Sequence, residues 1–257
     1  MLTLNGISKI FHPGTVNERE ALKNISLHLQ PGDFVTIIGS NGAGKSTLFN
    51  MISGGFIADR GSITLDGQDI TFMKEHKRAK VIGRLFQDPL KGTAPSMTIE
   101  ENLALAYMRG SGRKIDKKLF REKLAQLDLG LEDRMKTKVG LLSGGQRQAV
   151  TLMMSTLVTP KLLLLDEHTA ALDPATADKV LQITKEIVEA GQITTMMITH
   201  NIQSALELGN RTIMMDDGKI ILDIKGEERE GMTTANLLEC FKKASHKALD
   251  NDRVLLA

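Results

Sequence analysis

The segment Gly39-Ser40-Asn41-Gly42-Ala43-Gly44-Lys45-Ser46 constrains this chain more than any other. It matches G-x-x-x-x-G-K-[ST], the pattern of a phosphate-binding loop. Such a loop needs a strand before it and a helix after it. The apolar run Phe34 to Ile38 reads as a buried strand, and Lys45 to Ile52 can be helical. The glycines let backbone N–H groups curl around an anion, and the helix N-terminus adds partial positive charge. Lys45 supplies a full charge to the β- and γ-phosphates of a nucleotide. The Ser46 hydroxyl is a ligand for Mg2+, and Thr47 follows it in the first helical turn. A glycine-rich turn with an incidental lysine is the plainer alternative; the complete pattern after a strand disfavours it.

Two further motifs carry chemistry. Leu162-Leu163-Leu164-Leu165-Asp166-Glu167 places two acids at the end of an apolar strand, at the edge of a dry core where charges act strongly. Neighbours on a strand point to opposite faces, so the two acids can divide the work. Asp166 would hold Mg2+, and Glu167 would polarise an attacking water. Alone, a strand ending in solvated acids would mean little. Leu142-Ser143-Gly144-Gly145-Gln146 lies about twenty residues upstream of Asp166. Ser143 is a natural N-cap, and the small residues behind it leave backbone N–H groups open to an anion. Alone, this would be an ordinary helix start.

Elsewhere, strands and helices alternate. Leu2 and Leu4 share one strand face, and Ile25, Leu27 and Leu29 another, with turns at Pro13-Gly14 and Pro31-Gly32. Ile63-Thr64-Leu65 and Val81 to Phe86 read as strands. Asp88 to Met97 reads as a loop. Thr98 and Glu101 form a capping-box pair before Leu103, Leu105 and Tyr107. Ile115, Leu119, Phe120, Leu124 and Leu127 recur at helical spacing, so residues 90–155 read roughly as a helical insertion. Further on come a helix from Pro174 to Ala190, a strand over Thr195 to Thr199, and a hairpin turning at Asp217-Gly218 between Thr212–Met215 and Ile220–Ile224. The run from Gly226 to Gly231 reads as an exposed linker. Thr233 caps a last helix through Leu249. Lys74 to Lys80 reads as a solvated face, and the Met pairs at 153–154, 196–197 and 214–215 as core.

Composition removes several classes of function. The 33 basic and 31 acidic residues give a net charge of +2, which gives no reason to expect nucleic acid as a partner. A single cysteine, Cys240, excludes an internal disulfide, suits a reducing compartment and reads as a small buried group. The longest apolar candidate, Ala149 to Val158, is too short for a bilayer and is closed by Pro160 and Lys161. The first residues lack the basic start and apolar run of a secretory signal, so a soluble intracellular chain is expected.

In this order, the motifs resemble the ATP-binding subunit of ABC transporters, to about residue 225. The resemblance rests on the phosphate loop, Gln87, the signature at 142–146, Asp166-Glu167, Ala171-Leu172-Asp173 and His200. It implies an α/β fold, a P-loop NTPase core with an N-terminal antiparallel β-subdomain and an inserted α-helical subdomain. The ATPase domain would span 1–225, with a short linker and helical tail over 226–257. It implies that Phe11 stacks on adenine, where a tyrosine is more usual, and that Gln87 contacts Mg2+ and the attacking water. Asp173 would cross to a partner subunit, and His200 would be the switch histidine near the γ-phosphate. Glu167, His200 and Gln87 would be catalytic. Ser46, Gln87 and Asp166 would hold the metal. The loop residues with Ser143, Gly144, Gly145, Gln146 and Asp173 would bind ATP. His168 stands where proline is frequent, which bears on loop stiffness.

One phosphate loop and one signature per chain imply a second copy or a paralogous ATPase. The segment Gln87 to Met97 resembles the docking edge for integral membrane permease subunits, and an extracytoplasmic solute-binding protein is implied. The chain would be cytoplasmic and peripheral on the inner membrane face. Lys136-Thr137-Lys138-Val139-Gly140 lacks the exporter-type residues before the signature, which points to a bacterial importer of a small solute such as an amino acid. A soluble ATPase driving assembly, for example of iron–sulfur clusters, is the second reading. A non-hydrolysing nucleotide-binding regulator is a third, disfavoured by the intact Glu167 and His200.

Overall fold

The computed structural model describes residues 1–111 and 115–245. Its contacts divide it into two compact units, Met1–Arg78 with the chain from Thr194 onward, and Ala79–Ile193. Residues 246–249, the expected end of the last helix, and the rest of the expected tail to 257 lie outside the described residues.

The first unit begins with β1 (Leu2–Phe11), β2 (Arg19–Leu29), β3 (Phe34–Gly39), α1 (Lys45–Ser53), β4 (Arg60–Leu65), β5 (Gln68–Asp69) and α2 (Glu75–Arg78). The order β2-β1-β4-β5 makes an antiparallel sheet. Leu2 pairs with Leu29 and Leu4 with Leu27, which puts the alternating leucines on one buried face. All six residues of β3 are buried, because β3 lies between two parallel neighbours described below and has no solvent face. That burial explains a run that is apolar except for Thr36, whose hydroxyl donates to the Ala205 carbonyl.

The second unit holds β6 (Ile82–Leu85), α3 (Ile99–Ser111), α4 (Lys117–Ala125), α5 (Gly144–Thr156), β7 (Leu162–Asp166) and α6 (Pro174–Gly191). Strands β6 and β7 pair in parallel from Ile82↔Leu162 to Leu85↔Leu165, and the four leucines of β7 are fully buried. The Thr98–Glu101 capping box forms as expected: the Glu101 carboxylate accepts from Thr98 N at 2.7 Å, and Thr98 Oγ1 accepts from Glu101 N at 3.2 Å. Asp88 to Met97 is not all loop. Pro89–Gly92 forms a 3-10 turn, capped by the Asp88 carboxylate accepting from Leu90 N. Ile115 lies outside α4 and is exposed, since Asp116 caps the helix and its carboxylate takes the N–H groups of Lys118 and Leu119. There the cap, not the apolar spacing, sets the helix start.

Chain return to the first unit adds β8 (Thr195–Ile198), α7 (Ile202–Glu207), β9 (Arg211–Asp216), β10 (Lys219–Lys225), α8 (Glu227–Glu230) and α9 (Thr234–Ser245). Strand β3 is parallel to β8 and β9, and β10 turns back antiparallel on β9 through Asp217-Gly218, the expected hairpin. Met196, Met197, Met214 and Met215 are buried in it.

Three sequence readings are corrected here. Gly226 to Gly231 is not a linker. It contains α8, whose Arg229 donates to the carbonyls of Ala205, Leu206 and Leu208 and to Thr212 Oγ1. The guanidinium thereby caps the carbonyl end of α7. The helix that follows packs Leu237 into one cluster with Ile38, Ile202, Ala205, Met214 and Ile224, so α9 is part of the core; Cys240 on it is only half-buried. Lys74 to Lys80 is not a uniformly solvated face. Arg78 is fully buried, because its fan of donors is matched by four main-chain carbonyls: Met51 and Ile52 at the end of α1, with Thr71 and Met73.

Candidate nucleotide site

In the first unit the phosphate loop joins β3 to α1. Gly39 has φ 147°, and a Cβ there would lie 2.1 Å from the Met215 carbonyl oxygen of β9. Any side chain would push the loop off its neighbouring strand. Lys45 is 5% exposed. Its ammonium donates to the carbonyls of Gly39 at 2.7 Å and Ser40 at 3.1 Å, which compensates a charge held out of water. Gly39 to Lys45 thus wrap around a cation aimed at the loop's own centre.

Three braces hold this loop, and none was legible as such in the sequence. Ser40 Oγ donates to the Asp216 carboxylate at 2.9 Å, and Gly218 N donates to the Ala43 carbonyl at 3.0 Å, so the β9–β10 hairpin tip supports the loop. Arg19 Nη2 donates to the Gly42 carbonyl at 2.6 Å. Arg19 stands opposite Phe11 across the β1–β2 pair. Phe11 itself is half-buried, with Phe56 edge-on at a centroid distance of 5.2 Å. His200 follows β8 and is half-buried, one residue before Asn201, whose carboxamide oxygen accepts from Ser204 N and caps α7.

In the second unit Ser143 caps α5 as expected, in a full capping box. Ser143 Oγ accepts from Gln146 N, and Gln146 Oε1 accepts from Ser143 N, both at 3.3 Å. Gly145 has a packing reason as well: a Cβ there would lie 2.2 Å from Thr176 Cγ2 on the first turn of α6. The signature glycine therefore lets two helix N-termini approach. The second of them is capped by Asp173, whose carboxylate accepts from Thr176 N at 3.1 Å. The Thr176 hydroxyl, and then that backbone bond, hold the exposed Asp173 carboxyl below its ordinary range.

Asp166 is the last residue of β7, but Glu167 is not on the strand. Its φ of 47° is left-handed, a conformation disfavoured by about 1 kcal/mol for a residue with a Cβ. The two acids are therefore parted by a backbone turn rather than by the strand pleat expected from sequence. Such local strain is typical of positions held by function. Gln87 follows β6 and is exposed at the start of the capped 3-10 turn.

His168 holds this turn in a way that proline could not. It is 3% exposed, and its Nε2 lies 3.2 Å from Thr184 Oγ1 on α6. The Thr184 hydroxyl donates to the Val180 carbonyl, so its oxygen accepts from Nε2–H and the ring is the neutral Nε2 tautomer. Burial pushes the His168 pKa down to about 4 from 6.5. A depressed histidine pKa means that the unfolded chain takes up the proton first. The stabilisation is therefore complete above pH 6.5 and is lost as pH falls from there towards 4. Urea unfolding at pH 7.5 and pH 5 is expected to show a loss of about 2 kcal/mol that His168→Gln lacks. An equal pH response in the variant would remove His168 as its source.

The ABC transporter family profile matches residues 22–170. The chain is 46% identical over 252 residues to the tyrosine transport ATP-binding protein of Clostridioides difficile, covering 95% of this chain and 100% of that one. It is 36% identical over 223 residues to the aliphatic sulfonates import ATP-binding protein of Albidiferax ferrireducens, covering 86% and 73%. A solved dimeric ATP-binding cassette in a post-hydrolysis state, bound to ADP and Pi, matches with a TM-score of 0.77 at 30% identity, over 88% of this chain and 98% of that one. With the profile spanning more than half the chain and a transport ATPase subunit aligned along nearly all of it, the chain belongs to the ABC transporter family, as an ATP-binding subunit that hydrolyses ATP.

Proposed function

We propose that this chain powers a bacterial importer of a small solute, with an amino acid as the favoured class. Similarity to the tyrosine transport and sulfonate import subunits supports the importer over the assembly reading. Among the described residues no helix is long and apolar enough to cross a membrane. Similarity to transport ATP-binding subunits supports assigning the translocation path to separate permease subunits. These would dock near Gln87 to Met97, with the ATPase peripheral on the cytoplasmic face and a solute-binding protein outside.

The observation that carries the nucleotide assignment is the buried Lys45 ammonium, held by Gly39 and Ser40 within a loop braced by the β9–β10 hairpin. An incoming triphosphate exchanges those carbonyls for phosphate oxygens, a stronger pairing in a site already shaped for it. Phe11 stacks on the adenine. Ser143, Gly144 and Gly145 present the N-terminus of α5 to the γ-phosphate of a partner copy's nucleotide, and Asp173 crosses with them. Each chain carries one loop and one signature, so two copies make two complete sites.

Ser46, Gln87 and Asp166 offer a hydroxyl, an amide oxygen and a carboxylate. That all-oxygen donor set suits Mg2+. The bound ion would supply charge neutralisation at the phosphates. Glu167 accepts the proton of the attacking water, Gln87 orients that water, and His200 donates to the γ-phosphate.

Replacing Lys45 removes the only full charge within the loop. Lys45→Ala is expected to weaken ATP binding about 100-fold, measured with a fluorescent ATP analogue. Unchanged affinity would count against the phosphate-loop assignment. For transport, purification from native membranes is expected to bring down an integral membrane protein, and the reconstituted complex to accumulate solute at the expense of ATP. Purification with soluble assembly proteins alone would overturn the importer reading.

A further inference from the structure

Arg19 has no role in the chemistry above beyond bracing the phosphate loop. It starts β2, directly opposite Phe11 in the β1–β2 ladder, and facing residues of a ladder project from the same sheet face. The side chain therefore leaves the sheet beside the ring assigned to adenine and ends on the loop assigned to phosphate. Nη2 donates to the Gly42 carbonyl at 2.6 Å. A Cβ on Gly42 would lie 2.9 Å from Nη2, 3.9 Å from Cζ and 4.0 Å from Nη1, so the guanidinium rests against the loop backbone at a glycine with φ 82°. Among the described residues that bond is the one the guanidinium makes, and no carboxylate pairs with it. The acids on either side in sequence are directed elsewhere. Glu18 accepts from Gly14 N at 2.6 Å, and Glu20, the next residue of the strand, projects from the opposite sheet face. One neutral carbonyl thus engages one of five N–H donors and leaves the charge uncompensated.

We infer that Arg19 is a second cation of the phosphate site, pairing with the phosphate chain of the bound nucleotide at its nucleoside end. This rests on the reading of residues 39–46 as a phosphate loop. Lys45 serves the β- and γ-phosphates from inside that loop. Between those phosphates and an adenine on Phe11 lie the ribose and the α-phosphate, and of these only the α-phosphate carries charge. A guanidinium prefers that anion to a neutral carbonyl. Its planar fork can keep Nη2 on Gly42 and present its other donors to phosphate oxygens, and the anchor lowers the ordering cost of doing so. Phe11, Arg19, Gly42 and Lys45 all belong to the first unit. The α-phosphate is common to ATP and ADP, so Arg19 strengthens the binding of both alike and does not distinguish substrate from product.

The test measures ligand affinity of the full-length protein in EDTA, which keeps the metal residues out of the comparison. A fluorescent ADP analogue is titrated directly, and ATP, inorganic tripolyphosphate and adenosine are titrated by displacement. Arg19→Met keeps the apolar stem and removes the charge. It is expected to weaken ADP, ATP and tripolyphosphate about tenfold each and to leave adenosine unchanged. Raising the salt from about 0.05 M to about 0.5 M is expected to shrink the loss to about threefold, because screening acts on a charge and not on a backbone brace. A loss that salt does not change assigns Arg19 to bracing alone and overturns the proposal. So does unchanged ADP affinity, a loss for ATP without one for ADP, a loss for ADP that tripolyphosphate does not share, or an equal loss for adenosine. Lys45→Ala separates the two levels. If it leaves ADP affinity at wild type, the phosphate-loop reading fails. If it weakens ADP while Arg19→Met changes nothing, only the role of Arg19 fails.

Discussion

Glu167→Gln is expected to keep ATP affinity within about twofold and to lower the hydrolysis rate at least about 100-fold, the scale of a lost general base. The amide has the size of the carboxylate and suits the same left-handed turn, at φ 47°, no worse than glutamate does. It cannot accept the proton of an attacking water. Nucleotide therefore binds and is not consumed. With the γ-phosphate retained, the ATP-bound dimer accumulates instead of reopening. Steady-state phosphate release measures the first effect, and size-exclusion chromatography with ATP measures the second. Turnover close to wild type would remove Glu167 from the role of base and leave only its charge to explain.

Arg78→Ala is expected to destabilise the protein by about 3–5 kcal/mol, more than any surface change nearby. The guanidinium is fully buried and donates to Met51, Ile52, Met73 and Thr71 at 2.7, 2.9, 2.8 and 2.9 Å. Burial lowers its pKa and the nearby Asp69 charge opposes that shift; the side chain stays protonated. Alanine would leave a cavity and strand four carbonyls, two of them at the end of the helix that begins with Lys45. A cation at a helix C-terminus also suits the helix dipole. Lysine is no substitute, because one ammonium cannot span donors that a planar fork reaches together. The urea midpoint is the readout, and a midpoint equal to wild type would show that the four bonds contribute nothing net. Arg78→Lys is expected to recover only part of the loss.

The elements nearest the chemistry were the most legible. The phosphate loop, the leucine strand β7, the Ser143 cap and the Asp217-Gly218 hairpin all stand where the residues predicted. Each is specified locally: a complete motif, an unbroken apolar run, a capping box, a turn dipeptide. Two of the readings that failed concerned charged segments. The segment from Lys74 to Lys80 is rich in charge, but Arg78 is inside the core. Gly226 to Gly231 is acidic and glycine-flanked, but Arg229 anchors it to α7. A charged side chain does not announce in sequence whether carbonyls elsewhere in the chain will converge on it; carbonyls do converge on the buried Arg78 and on the half-buried Arg229.

The sequence by itself determined the family, the order of the phosphate loop, signature and acids, and the elements that carry them, because those depend on residues close together in the chain. The tertiary structure decided what supports them. It brought Asp216 to Ser40 across 176 positions, Thr176 to Gly145 across the start of two helices, and Arg84 to Asp166 across two paired strands. It also turned His168 from an unexplained replacement of proline into a neutral, buried hydrogen-bond donor to Thr184. These contacts depend on strand register and helix packing, which arise when distant segments share one core. No local pattern in the residues encodes them.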